Sequence, residues 1–442
     1  MATESSNAVE SAGTDSGAGG HAIVAASIGN LLEWYDFAIY AQFALYIAAN
    51  FFPHDSRGAG LVNAFLVFGL GFVIRPLGAV LLGIYGDRAG RKAALTLTIL
   101  VMASGTLLIA VAPIYAVVGL AAPLILLVGR LLQGFSAGGE IGNATAFLVE
   151  HAPSGRRALF TAWLQASMGM SNILGASVAF TVSAFLSRAE IIQWGWRLPF
   201  FGGLVIVPVG IYLRRSLEET PMFRAEREVR HTARRPLVSV FRETPRELAA
   251  GLALSILWAA AVYVLLIFMP VFLQQTFGFS AAQAYGGSLI ENVLFVAGCF
   301  VFGALGDRIG PRTVQMYGAA ALLICVLPLF WWLDRSRSSG VLDLVLALLG
   351  VLTASYSGVA PTILSTLFPT RVRVTGVSLA YNAAFTIFGG FAPAILTWIT
   401  ARGAGSVFAP AWYVSLAAVP ALIAARAVGS AHSTSREPVG ER

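Results

Sequence analysis

The chain has 442 residues, of which 57% are hydrophobic and 12% charged, with a net charge of +7 and a mean hydropathy of +0.76. Soluble domains carry roughly 25% charged residues. So sparse a supply cannot wet a globular surface, which excludes an ordinary soluble enzyme. The basic residues lie in short clusters between apolar runs, a pattern of membrane topology and not of a nucleic-acid surface. Cys299 and Cys325 sit in apolar stretches and imply no disulfide framework.

Residues 1–21 are rich in Ser, Gly and Ala and carry Glu4, Glu10 and Asp15 but no Lys or Arg. Without the basic n-region of a signal peptide, they read as a disordered cytoplasmic tail. Twelve apolar runs of spanning length follow, near 22–48, 60–82, 93–112, 120–148, 158–186, 197–213, 248–273, 282–305, 313–333, 341–366, 375–400 and 410–428. The alternation of an outer-membrane barrel is absent, so the fold class is an all-α polytopic membrane protein. The expected division is an N-terminal six-helix bundle over 22–213, a central cytoplasmic loop over 214–247, a C-terminal six-helix bundle over 248–428 and a cytoplasmic tail over 429–442. The mixed Arg/Glu content of the loop reads as a short amphipathic helix or linker.

Arginines set the orientation. Arg88, Arg91, Lys92, Arg156, Arg157, the run from Arg214 to Arg246, Arg308, Arg312, Arg371 and Arg373 fall in alternate loops, whereas the opposite loops hold only Arg57, Arg188, Arg335, Arg337 and Arg402, with Arg197 at a span edge. Positive loops stay inside, so both termini are expected in the cytoplasm. Trp194, Trp196, Trp331, Trp332, Trp398 and Trp412 mark the outer belt. Gly86-Asp87-Arg88-Ala89-Gly90-Arg91 recurs as Gly306-Asp307-Arg308-Ile309-Gly310, and the stretch from Glu150 to Arg157 has a looser echo in Phe368-Pro369-Thr370-Arg371-Val372-Arg373. Such a repeat implies two bundles rocking about a central site.

At these residues the chain resembles the major facilitator superfamily, whose cytoplasmic loop signature looks like Gly83-Ile84-Tyr85-Gly86-Asp87-Arg88-Ala89-Gly90-Arg91-Lys92. Several further stretches are similar to the metabolite:H⁺ symporter family within it. They are Gly29-Asn30-Leu31-Leu32-Glu33-Trp34-Tyr35-Asp36-Phe37, Arg75-Pro76-Leu77-Gly78, the run from Arg130 to Glu140, Trp194-Gly195-Trp196-Arg197-Leu198-Pro199-Phe200, and Arg214 to Thr220. The resemblance covers Gly29 to about Trp412 and is nearest to the citrate and tricarballylate branch around Gly119-Leu120-Ala121-Ala122-Pro123. It implies a proton-coupled importer of a small organic carboxylate such as citrate, tricarballylate or a dicarboxylate, working by alternating access in the bacterial inner membrane. A proline/betaine-type osmolyte:H⁺ symporter is the alternative. Against it weighs the short polar tail past Gly429, which lacks the heptads of osmosensory members. The driving ion is the proton, with no cofactor or metal; the partners are the bilayer and the organic acid, with no nucleic acid, and the working unit is a monomer.

Ionisable side chains in mid-membrane cost several kcal/mol and are functional candidates by default. Here they are Glu33, Asp36, Arg75, Arg130, Glu140 and Glu291. Glu33, Asp36 and Tyr40 share a helix face. Asp36 is the candidate for the coupling proton with Arg130 as its charge partner and Glu33 as a rival; a static Asp36–Arg130 pair locking two helices is the plainer reading. The planar fork of Arg75 suits a substrate carboxylate, although an arginine held by helix-end carbonyls is also consistent with its position. By the repeat offset its counterpart is Phe295. Gln133, Tyr40, Tyr381 and Asn382 are the favoured polar contacts to substrate, ahead of Gln165, Asn143, Asn172, Asn292 and Tyr356; each also suits an interhelical hydrogen bond. Asp87, Arg88, Arg91, Asp307 and Arg308 are candidates for a cytoplasmic conformational latch, or for topology-setting charge alone. Gly134, Gly138 and Gly142 recur as one small-residue packing face. The fifth run lacks the Gly-Pro kink of the superfamily's drug antiporters, which points to import.

Overall fold

The computed structural model describes residues 16–53, 55–89, 91–138, 140–216, 236–403 and 406–434. Among them, nine helices are long and apolar enough to cross a membrane. In lipid a backbone must satisfy its own hydrogen bonds, so apolar runs of this length fold as helices. Span one comprises Ser16–Gln42 and, after a break at Phe43, Ala44–Phe51. Span two is Arg57–Val73 with Arg75–Ala89, span three Arg91–Ala110, span four Ala121–Ala137 with Glu140–His151, span five Arg157–Phe185 and span six Leu198–Ser216. The second half repeats the plan. Span seven runs from Pro245 to Phe277, span eight is Ala281–Ile309, span nine Pro311–Ser336, span ten Ser339–Ser357 with Ala360–Leu367, span eleven runs from Arg373 to Ala401, and span twelve is Ala409–Thr434. Twelve spans in two sets of six are the architecture expected from the sequence.

The first helix starts at Ser16, inside the stretch read as a disordered tail; Gly17, Gly19 and Gly20 disfavour helix there, and the turn continues the apolar helix that follows from Ala22. In the central segment Pro236–Glu243 is helical and packs beneath spans seven and eleven, with Val240 buried; residues 217–235 lie outside the described residues. Breaks have local causes. Span two bends at Ile74, ahead of Pro76, and span ten at Gly358–Val359, ahead of Pro361; proline lacks the amide that would continue the ladder. Span seven is π-helical over Ala261–Phe268 and Leu273–Phe277, and span eleven over Phe385–Gly390.

Spans two and four cross with backbones in contact. A Cβ on Gly134 would stand 1.6 Å from the Gly71 carbonyl oxygen, one on Gly138 1.9 Å from that of Arg75, and one on Gly78 1.9 Å from that of Phe135. Gly142 departs from the single packing face expected of the three: it meets Ser378 and the Val374 carbonyl of span eleven, in the other bundle. At about 100° per residue each four-residue step turns about 40° past a full turn, so the row drifts off the face of span two toward the other bundle.

The bundles touch at both ends. On the side of the loop signatures, Asp307 accepts the first amides of span five from Ala158 and Leu159 at 2.8 and 3.0 Å. Arg373 pairs with Glu150 at 3.4 Å, and Asn382 donates to the Gly138 carbonyl at 3.1 Å. At the opposite end the Tyr285 hydroxyl donates to the Gln42 carbonyl at 2.7 Å, and Gly69 lies against the Phe391 ring. The conformation is therefore occluded.

Candidate functional site

The interior charges of the first bundle gather where the two bundles meet. Glu33 and Asp36 of span one, Arg75 of span two and Arg130 of span four are all buried. Asn30 anchors this part of span one by donating to the Leu164 carbonyl and to Ser167, while accepting from Trp34. Helical spacing puts Glu33 and Asp36 on one side, yet the structure gives them different neighbours.

Asp36 and Arg130 are joined through two intermediaries and not by a direct ion pair. Arg130 Nη1 donates to Gln133 Oε1 at 2.7 Å, Gln133 Nε2 donates to Thr106 Oγ1 at 2.9 Å, and Thr106 donates to Asp36 Oδ2 in a short hydrogen bond. A chain of this kind polarises along its length, so a change of charge on Asp36 is felt at Arg130. The guanidinium of Arg130 is boxed by the rings of Phe37, Tyr40 and Phe68 at 4.6–4.7 Å. Desolvated cation–π contacts contribute up to about 2 kcal/mol each, enough to hold a cation whose Nε and Nη2 have no hydrogen-bond partner.

Arg75 lies 3.4 Å from Glu33 Oε1, longer than the roughly 2.7–2.9 Å of a strong charge-assisted bond. Its Nε is unpartnered and its planar group covers the Phe72 and Phe37 rings at 4.1 and 4.8 Å. The hydroxyls of Tyr263 and Tyr381, from spans seven and eleven, are within electrostatic range of Arg75. The second bundle completes the site with rings. Tyr381 stacks on Phe385 at 3.8 Å, Trp258 meets both edge-on, and Tyr263 packs against Trp34 and Phe385. Trp258 also donates across the bundles to Gln165 at 3.0 Å.

The expected site residues thus separate into groups. Arg75, Glu33, Arg130 and Tyr381 converge. Gln133 is taken up in the chain to Asp36, Tyr40 donates to the Ala64 carbonyl and walls in Arg130, and Asn382 ties span eleven to span four. Asp307 caps span five; Arg308 is exposed and the side chains of Asp87, Arg88, Arg91 and Glu140 lie outside the described residues. Phe295, in the place opposite Arg75 by the repeat, packs over Gly169. Sequence reasoning passed over Thr106, Tyr263, Trp34 and Trp258. A threonine or an aromatic in an apolar helix carries no spacing signal, although the Glu33-Trp34-Tyr35-Asp36 run points to the neighbourhood.

The profile of the Major Facilitator Superfamily matches residues 26–393. The chain is 37% identical to the citrate-proton symporter of Klebsiella pneumoniae over 428 residues, 96% of this chain and 95% of the relative. It is 34% identical to the proline/betaine transporter of Escherichia coli over 415 residues, 91% of this chain and 82% of the relative. Among solved structures, the xylose transporter XylE of E. coli in a partially occluded inward-open conformation superposes with a TM-score of 0.73 at 17% identity, covering 97% of this chain and all of that one. With twelve spans in two bundles, a buried charge cluster at their junction and a family match across most of its length, the chain belongs to the major facilitator superfamily.

Proposed function

We infer that the protein is a proton-coupled symporter that imports a small organic carboxylate by alternating access. The observation that carries this is the make-up of the buried cluster: two guanidiniums with unpartnered N–H groups set against two carboxylates. With Asp36 ionised, Arg75 and Arg130 balance Glu33 and Asp36. With Asp36 protonated, one positive charge is left over, and a substrate carboxylate neutralises it. Coulomb energy at short range in a medium of low dielectric amounts to several kcal/mol, so protonation at Asp36 and anion binding favour each other. Linkage makes the effect reciprocal: whatever the proton adds to substrate affinity, the substrate adds to proton affinity.

In this reading Asp36 carries the proton and Glu33 orients Arg75. Arg75 and the free edge of Arg130 receive the carboxylate, with Tyr381 beside it. Gln133 transmits the state of Asp36. Asp307 and the Glu150–Arg373 pair latch the cytoplasmic side; capping a helix N-terminus with a carboxylate contributes about 1 kcal/mol, small enough for the alternating cycle to break. The arginine-rich loops put both termini in the cytoplasm, and each chain holds a complete site, so the working unit is a monomer.

An osmolyte reading has one observation in its favour. The rings of Trp34, Tyr263, Trp258 and Phe385 form an aromatic wall of the kind that binds quaternary ammonium groups. Uptake of labelled citrate, tricarballylate, α-ketoglutarate, proline and betaine into vesicles under an imposed pH gradient separates the two. Accumulation of a carboxylate that Asp36→Asn abolishes, while counterflow exchange survives, is the expected result. Accumulation of proline or betaine alone supports the osmolyte carrier, and accumulation of none defeats both.

A further inference from the structure

We propose that Asp36 exchanges its proton with the cytoplasm through a crevice inside the N-terminal bundle, past Gly203, and not along the junction between the bundles where Arg75 and Arg130 would receive the substrate. The proposal rests on the reading of Asp36 as the coupling group and adds a route to it.

The two oxygens of Asp36 face different surroundings. Oδ2 receives the Thr106 hydroxyl, at the end of the chain that leads to Arg130. Oδ1 is turned toward span six: a Cβ added to Gly203 would stand 3.2 Å from it. On that side lies a crevice of about 30 Å³ lined by Gly29, Asp36, Thr98, Ser136, Gly203 and Val207, among others from the same spans. Every lining residue belongs to span one, three, four or six, and none to the C-terminal bundle. At about 1.5 Å per residue, Gly29 lies roughly 10 Å from Asp36 toward the cytoplasmic end of span one, and Thr98 lies roughly 12 Å below Thr106 on span three. The crevice therefore runs from the carboxyl toward the cytoplasmic face.

Size and chemistry decide what can use it. A space of this volume holds one or two waters and no organic acid. Its wall offers polar atoms suited to them: Asp36 Oδ1, the Thr106 hydroxyl, and Ser136, whose hydroxyl also donates to the Thr98 carbonyl at 2.7 Å. In the transfer, the Oδ1–H bond breaks, the proton passes to a water in the crevice and on to the cytoplasm, and the carboxylate left behind keeps its Thr106 hydrogen bond. No other group is oxidised, reduced or consumed. The substrate stays on the Arg75 and Arg130 side throughout, so proton and substrate leave by separate paths.

The test follows the carboxyl C=O stretch of Asp36 by infrared difference spectroscopy of the full chain in proteoliposomes, with rapid exchange into D₂O. Asp36→Asn identifies the band. Native protein is expected to keep exchanging under saturating citrate, slower by no more than the factor by which bound citrate raises the proton affinity of Asp36. Gly203→Val, which fills the space beside Oδ1, and Val207→Trp, which fills it from below, are each expected to slow exchange on the order of tenfold, as about 1.4 kcal/mol added to the barrier would. Citrate counterflow, which needs no proton release, is expected to persist in Val207→Trp and shows that the variant is folded. Exchange that is unslowed in both variants, or that citrate blocks in the native protein, overturns the route. Spectra in which Asp36→Asn removes no carboxyl band overturn the coupling role of Asp36 itself, and the route with it.

Discussion

The two bundles repeat each other in plan and differ in substance. The N-terminal bundle holds Glu33, Asp36, Arg75 and Arg130 at its buried centre; among the described residues, the centre of the C-terminal bundle holds Glu291 alone. The N-terminal helices cross through glycines whose backbones touch at Gly71, Gly78, Gly134 and Gly138. Spans seven and eleven of the C-terminal bundle contain π-helical turns at the level of the site, and such turns are frequent at functional sites. Charges need fixed partners, because a buried ion that loses its partner costs several kcal/mol. Rings bind by area and tolerate sliding. In the proposed cycle one half carries the charges, and the other brings an apolar wall of rings to them.

Several measurements would break or sharpen that contrast. The largest expected effect compares the acids: Asp36→Asn abolishes pH-driven accumulation, whereas Glu291→Gln, which keeps the shape of the side chain, leaves uptake near the native rate. Loss of coupling in the Glu291 variant would place chemistry in both halves. Next, Arg75→Lys removes the planar fork. Hydrogen bonds to charged groups contribute about 1.5–3 kcal/mol, so KM for the carboxylate should rise about 10- to 100-fold. Tyr381→Phe, on the opposing wall, should change it only a few-fold. An equal response at the two positions would refute the division of labour.

Smaller effects are expected where the halves meet. Asp307→Asn weakens the cap on span five, by about 1 kcal/mol, and should shift the inward-to-outward ratio about fivefold. Distances between spin labels on the ends of spans five and eight nearest Asp307 report that ratio. Arg373→Gln removes a partly exposed pair, for which about 0.2–1 kcal/mol is typical, and should move the same distances less than Asp307→Asn does. The reverse order would make the Glu150–Arg373 pair the principal latch.

The sequence by itself determined the twelve spans, the repeat and the charges that lie buried in the first bundle. Hydropathy and the positions of arginine are properties of one chain in one solvent, and the bilayer reads them without reference to packing. It also singled out Asp36, Arg75 and Arg130, because charge in an apolar run is conspicuous whatever surrounds it. Only the tertiary structure decided how those charges are wired. Thr106 is one hydroxyl among many in span three, and Gln133 read as a substrate contact; the crossing of spans three and four makes them the link between Asp36 and Arg130. Gly142 shares the spacing of Gly134 and Gly138 and yet faces the other bundle, since each four-residue step turns the row by about 40° and the neighbours change along the span. Hydropathy is a sum along the chain, but a hydrogen bond depends on direction across it, and that is fixed only when the helices pack.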